Sequence, residues 1–231
     1  MISQRGTLAM TVAGLTLSTC LLHAQDRSRY RDFQLGRDLP SISALTGMAA
    51  SQATTIHLRP AMMQELEWRR PYSVSDATSG QADPVQLIVF SFYNDQLSRM
   101  VVDYDRNRTV GMTDADMIEA ISTMYGPPLK SALKKTAVLS QLEEESGTLL
   151  ARFGDASCAV VLYRSSYASG FRLIVTSPRL EALARTAGAQ ALRLDEREAP
   201  QREIARQKKE AADIRASEEQ SRLANKAAFR P

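Results

Sequence analysis

The side chains best suited to chemistry in this chain of 231 residues lie in one short acidic run. Asp103, Asp105 and Asn107 place oxygen ligands at alternate positions, and Asp114 follows eleven residues after Asp103. Alternating oxygens closed by a carboxylate are what a loop wrapped around Ca²⁺ requires, because the ion takes six to eight oxygen ligands from a short stretch of chain. Two positions depart from that pattern. Arg108 stands where the tight turn asks for Gly, and Asp114 is shorter than the bidentate Glu that closes such a loop. The same residues also spell a strand end, a polar turn and a helix cap. One reading is therefore a Ca²⁺-dependent module or a hydrolytic enzyme using the Asp103 to Asp114 loop. The other is purely structural.

Further candidates are sparse. His57, within Ile56-His57-Leu58, is the only histidine beyond residue 24, so a zinc site built on several histidines has no residues to use. A Ser-His-Asp triad would have to employ that single imidazole, and no Gly-x-Ser-x-Gly elbow accompanies it. Glu65 and Glu67 share the polar face of a strand, as a solvated surface does. Gly126 ends a helix where a phosphate-binding glycine would begin one. Trp68, Phe90, Phe92, Tyr93 and Phe153 fall at strand spacing and read as core. These patterns assign no catalytic residue and no organic cofactor.

The elements that must position these groups alternate between helix and strand. Residues from Gln25 are polar and basic, an exposed lead-in until Phe33 and Leu35. A short helix follows, capped by Asp38 or Ser41, with Ile42, Leu45 and Met48 inward and Gly47 as its left-handed stop. Strands are expected over Thr54 to Leu58 and Glu65 to Arg69, then a loop from Ser73 to Pro84. Val85 to Tyr104 reads as a hairpin turning at Asn94-Asp95, with a first strand apolar on both faces near its middle. A second helix starts at Thr113, whose hydroxyl pairs with Asp116 in a capping box, and carries Met117, Ile118, Ile121 and Met124 inward. Tyr125-Gly126-Pro127-Pro128 stops it. Four strands follow, over Thr136 to Leu142, Thr148 to Phe153, Cys158 to Tyr163 and Phe171 to Thr176. The order predicts an α+β fold. The Leu35-Gly36-Arg37-Asp38 and Val110-Gly111-Met112-Thr113 helix entries, 75 residues apart, suggest two similar helix-then-meander units over 25–109 and 110–194, the alternative being one continuous α+β domain.

The N-terminus reads as an address. A basic start ending at Arg5, an apolar run from Thr7 to Leu22 and a cleavage point after the small Ala24, with Leu22 two positions before it, have the layout of a secretory signal peptide. That run of 16 residues covers roughly 24 Å as a helix, less than the ~30 Å hydrocarbon core. The expectation is a periplasmic or secreted protein. Membrane attachment would follow if the leader were retained or if Cys20, in Leu17-Ser18-Thr19-Cys20, were lipidated. With the leader gone, Cys158 is the single thiol, and its apolar run marks it as a small buried hydrophobe.

A helix from Pro178 to Leu194, with Leu180, Leu183 and Ala184 on one face, is expected to break at Gly188. From Asp195 the chain has 9 basic and 8 acidic residues in 37, with too few apolar residues for a core. Glu198 with Arg202 and Glu218 with Arg222 are i,i+4 pairs that favour an exposed helix. Ile204, Ala211 and Ile214 sketch a coiled-coil seam that Glu218 and Ser221 break. A protein partner, met through this helix or the sheet surface, is the natural use of such a tail.

Whole-chain composition sets the outer limits. A hydrophobic fraction of 44% with 24% charged residues describes a globular chain, and excludes collagenous, polytopic-membrane, disulfide-framework and wholly disordered classes. A net charge of +3 supplies no electrostatic footprint for nucleic acid.

Gly111-Met112-Thr113 leading a helix through Met117, Ile118 and Ile121, its stop at Gly126-Pro127 and the strands beyond resemble the small outer-membrane assembly lipoproteins of the SmpA/OmlA type. The resemblance covers residues 110–176, with a weaker echo over 35–104. It implies helices packed on a short antiparallel sheet, a periplasmic location and a non-catalytic binding role. Thr19 before Cys20 and the charged tail depart from that family, and no functional residue carries over.

Overall fold

The computed structural model describes residues 27–70, 83–129, 147–165, 170–228 and 230. The leader with Cys20 and the strand expected over Thr136 to Leu142 lie outside the described residues. The fold is α+β. A small hairpin, β1 (Arg29–Tyr30) and β2 (Phe33–Gln34), precedes helix α1 (Leu39–Thr46). Strands β3 (Thr54–His57), β4 (Met63–Arg69), β5 (Val85–Tyr93) and β6 (Gln96–Tyr104) follow as a meander. Helix α2 (Asp114–Tyr125) leads to β7 (Thr148–Gly154), β8 (Ala159–Arg164) and β9 (Phe171–Thr176), and the chain ends in α3 (Pro178–Ala228).

All seven larger strands form one antiparallel sheet in the order β3-β4-β5-β6-β9-β8-β7. The two meanders meet where β6 pairs with β9, so one sheet spans residues from both halves of the sequence. Register decides which residues share a face. Leu66, Phe90, Met100, Val175, Val160 and Phe153 are successive cross-strand partners and make one apolar row. Helices α1 and α2 cover that face, contributing Leu39 and Ile42, then Met117, Ile121 and Tyr125. Full burial of each large side chain contributes about 1.5–3 kcal/mol, far more than an exposed ion pair, so this layer holds the body together.

Local signals explain the helices. Asp38 accepts a hydrogen bond from the Ser41 amide at the head of α1, and Gly47 ends it at φ +70°. Thr113 and Asp116 make the reciprocal capping box of α2. Asn94 and Asp95, at φ +46° and +63°, turn the β5–β6 hairpin with the left-handed pair that matches strand twist. Their side chains also accept from the Met62 and Leu39 amides, tying the turn to its neighbours.

Three expectations are corrected. The basic lead-in is folded ahead of its expected anchor Phe33, because Tyr30 is already buried in the core; Phe33 itself is buried as expected and meets Phe90 edge-to-face at 4.7 Å. Leu45, Met124 and Leu183 are exposed, since the buried stripes run through Leu39, Ile42 and Ser43 on α1, through Met117, Ile121 and Tyr125 on α2 and through Leu180, Ala184, Ala187 and Ala191 on α3. Gly188 does not break α3, which also continues through Pro200. A helical Gly costs only about 1 kcal/mol, and burial of the alanine stripe on either side of it offsets that.

Candidate functional site

The acidic residues of the proposed Ca²⁺ loop are each held separately. Asp103 points from the sheet face opposite α1 and α2, where the Arg172 guanidinium donates to both carboxylate oxygens at 2.6 and 2.9 Å. Asp105 caps a short 3-10 turn and accepts from the Asn107 amide at 2.8 Å. Asp114 opens α2 and is paired with Arg164, whose Nε donates at 2.7 Å and whose guanidinium also lies over the Phe171 ring. Asn107 lies within the 3-10 turn that Asp105 caps. Among the described residues no three of His, Cys, Asp or Glu gather as a metal-binding group. A cation drawing on all four side chains would have to displace both arginines.

The nucleophile and base candidates are dispersed too. His57 sits on the outermost strand, β3, beside a shallow cleft shared with Asp195 and Arg202. Cys158 is fully buried and its thiol donates to the Arg27 carbonyl. Glu65 accepts from the Ser91 hydroxyl at 3.1 Å, while Glu67 is 3.3 Å from Arg69. Tyr30, Tyr104 and Tyr125 cluster beneath α2, with Tyr30 donating to Tyr104 at 3.4 Å and Tyr125 to the Arg29 carbonyl at 2.9 Å. Burial raises all three phenols above their ordinary range, so they stay neutral and serve as hydrogen-bonding core residues.

Two features of α3 were legible only in part. From residue 201 to 228 every described side chain is exposed, and the helix projects about 42 Å beyond the body. Its surface is braced by Arg206 with Glu203 and Glu210, and by Arg222 with Glu219, while Ile204, Ile214 and Leu223 stand half exposed. Closer in, α3 crosses β5 and β6 on the second face of the sheet. The crossing leaves a cleft of about 630 Å³ between Glu181, Arg185 and Leu192 on the helix and Glu65, Ser91 and Arg99 on the strands. No motif or spacing in the sequence singles out Arg99 or Arg185. Arg99 alternates with Val101 and Asp103, which marks its face, but nothing local brings it to a helix more than eighty residues away. Comparison with known proteins gives no further guide: no family model, curated protein or solved structure matches this chain.

Proposed function

We propose that this chain is a non-enzymatic protein of the bacterial envelope, exported by its N-terminal segment, that binds a protein partner through α3. The observation that carries the reading is the projecting helix over residues 201–228. A segment with so few apolar residues adds nothing to the core, and its burial-free length is sustained by propensity and ion pairs worth only ~0.2–0.5 kcal/mol each. A partner helix or groove along the side that carries Ile204 and Ile214 would supply the packing that the free helix lacks. The basic-then-apolar start of the sequence supports export, and the resemblance over residues 110–176 supports a binding role without catalysis.

Truncation after Leu194 tests the proposal, because it keeps the buried Leu180, Ala184, Ala187 and Ala191 and removes the projection. The full chain and the truncated one are to be recovered from the periplasmic fraction of the native cell after mild crosslinking. The expected outcome is a body with unchanged thermal midpoint that no longer recovers the partner caught by the full chain. Equal recovery of that partner would show that α3 is a solubilising extension only.

A further inference from the structure

The cleft beneath α3 combines two features that no internal requirement of the fold explains. Its first is a set of stranded donors. Arg99 Nε and Arg185 Nε are buried without a hydrogen-bond acceptor, and both arginines line the cleft. Buried polar atoms are nearly always partnered, since leaving one unsatisfied costs about 1–3 kcal/mol. Neither guanidinium ion-pairs with Glu65 or Glu181, the two carboxylates of the cleft. Glu65 is turned to the Ser91 hydroxyl instead. A pair of guanidinium donors is suited to a carboxylate, which accepts their N–H groups in charge-assisted bonds.

The second feature is an apolar wall. Ile56, Met63, Phe92, Ala189 and Leu192 line the remainder of the cleft, with far more carbon than polar surface. Gly188 faces the same space, and a Cβ added there would meet no atom within 4 Å, so packing does not demand the glycine. A volume of about 630 Å³ lies within the ~300–1,000 Å³ typical of small-molecule sites. A small inorganic anion would satisfy the arginines and leave the wall uncovered. A neutral hydrocarbon would do the reverse.

We propose that this cleft binds a carboxylate with an aliphatic chain, of the fatty-acid class, with its headgroup on Arg99 and Arg185 and its chain along the apolar wall. This site is independent of the partner surface over residues 201–228.

Titration calorimetry of the purified full chain with dodecanoate, dodecanol and acetate tests it, each below its micellar range. The expected result is one dodecanoate per chain, with dodecanol and acetate each weaker by about tenfold or more, the worth of a charge-assisted hydrogen bond or of the buried chain. Arg99→Gln and Arg185→Gln should each weaken dodecanoate by a similar factor, and Gly188→Leu should block it by filling the space. The comparison of the three probes on the unmodified protein stands even if a variant fails to fold. Absence of dodecanoate binding, dodecanol binding as tightly as dodecanoate, acetate binding as tightly as dodecanoate, or folded arginine variants that bind as well as the parent would each overturn the proposal.

Discussion

Gly154 closes β7 at φ +106°, and a Cβ built there would lie 2.0 Å from the Cys158 carbonyl oxygen. That oxygen accepts from the Asp155 amide in the β7–β8 turn, so the obstacle is backbone held in place by its own hydrogen bond. Gly154→Ala should therefore cost more than about 2 kcal/mol, whereas Gly111→Ala, at φ +80° in open space, should cost only about 1–2 kcal/mol. Urea unfolding of the two variants checks the order. A second residue-scale effect lies at Asp83, which receives both Arg31 nitrogens at 2.6 and 2.5 Å and the Val85 amide at 2.9 Å. The Arg31 guanidinium holds the Asp83 carboxyl below the usual carboxylate range, and the Val85 amide adds to the effect. A lowered folded-state pKa means that the contribution to stability is present above the unfolded value near ~3.9 and is lost as pH falls through the folded one. The thermal midpoint of the parent should drop below about pH 4 more steeply than that of Asp83→Asn, and parallel profiles would refute the assignment. The acidic residues of the candidate Ca²⁺ loop are paired at this same scale. Asp103 and Asp114 found arginines, Arg172 and Arg164, that lie 69 and 50 residues away in sequence and that no local spacing could reveal.

Individual elements followed local chemistry closely wherever an end carried a specific signal. The Asp38 and Thr113 caps, the Gly47 stop and the Asn94-Asp95 turn sit where the sequence places them, because each satisfies backbone groups within a few residues. Helix α3 departs from that rule, since Gly188 and Pro200 are both interior to it. Proline has no amide hydrogen for the helical ladder and its ring crowds the preceding turn, a local penalty of about 3 kcal/mol. Pro200 lies just past Glu198, which pairs with Arg59 at the last bridge between α3 and the body. Pro200→Ala should raise helix content, read from the circular dichroism at 222 nm, while leaving global unfolding unchanged because the projecting segment opens independently. An unchanged helical signal would mean that the helix is already held as firmly without the substitution.

Among the described residues, the seven-stranded sheet organises the molecule and has two differently used faces. One is sealed by α1, α2 and the β1–β2 hairpin, and the other is crossed by α3, leaving the arginine-lined cleft. The truncation after Leu194 belongs to this scale: it separates the part of α3 that covers the sheet from the part that projects. A normal body without its partner would locate recognition in the projection. The cleft should be retained by the same truncation, since Glu181, Arg185 and Leu192 all precede the cut.

Apolar periodicity, caps and turn residues by themselves determined the α+β class, most strand positions and both short helices, because those signals act over fewer than about a dozen residues. They also marked the tail as unable to form a core. Tertiary structure alone decided that the two meanders join through β6 and β9, that Tyr30 enters the core, and that α3 runs unbroken over the second face. Those outcomes depend on burial shared between residues far apart in the chain, which has no trace in local spacing. The same holds for Arg99 and Arg185: each is an ordinary surface cation in its own element, and becomes a stranded donor only where helix and sheet meet.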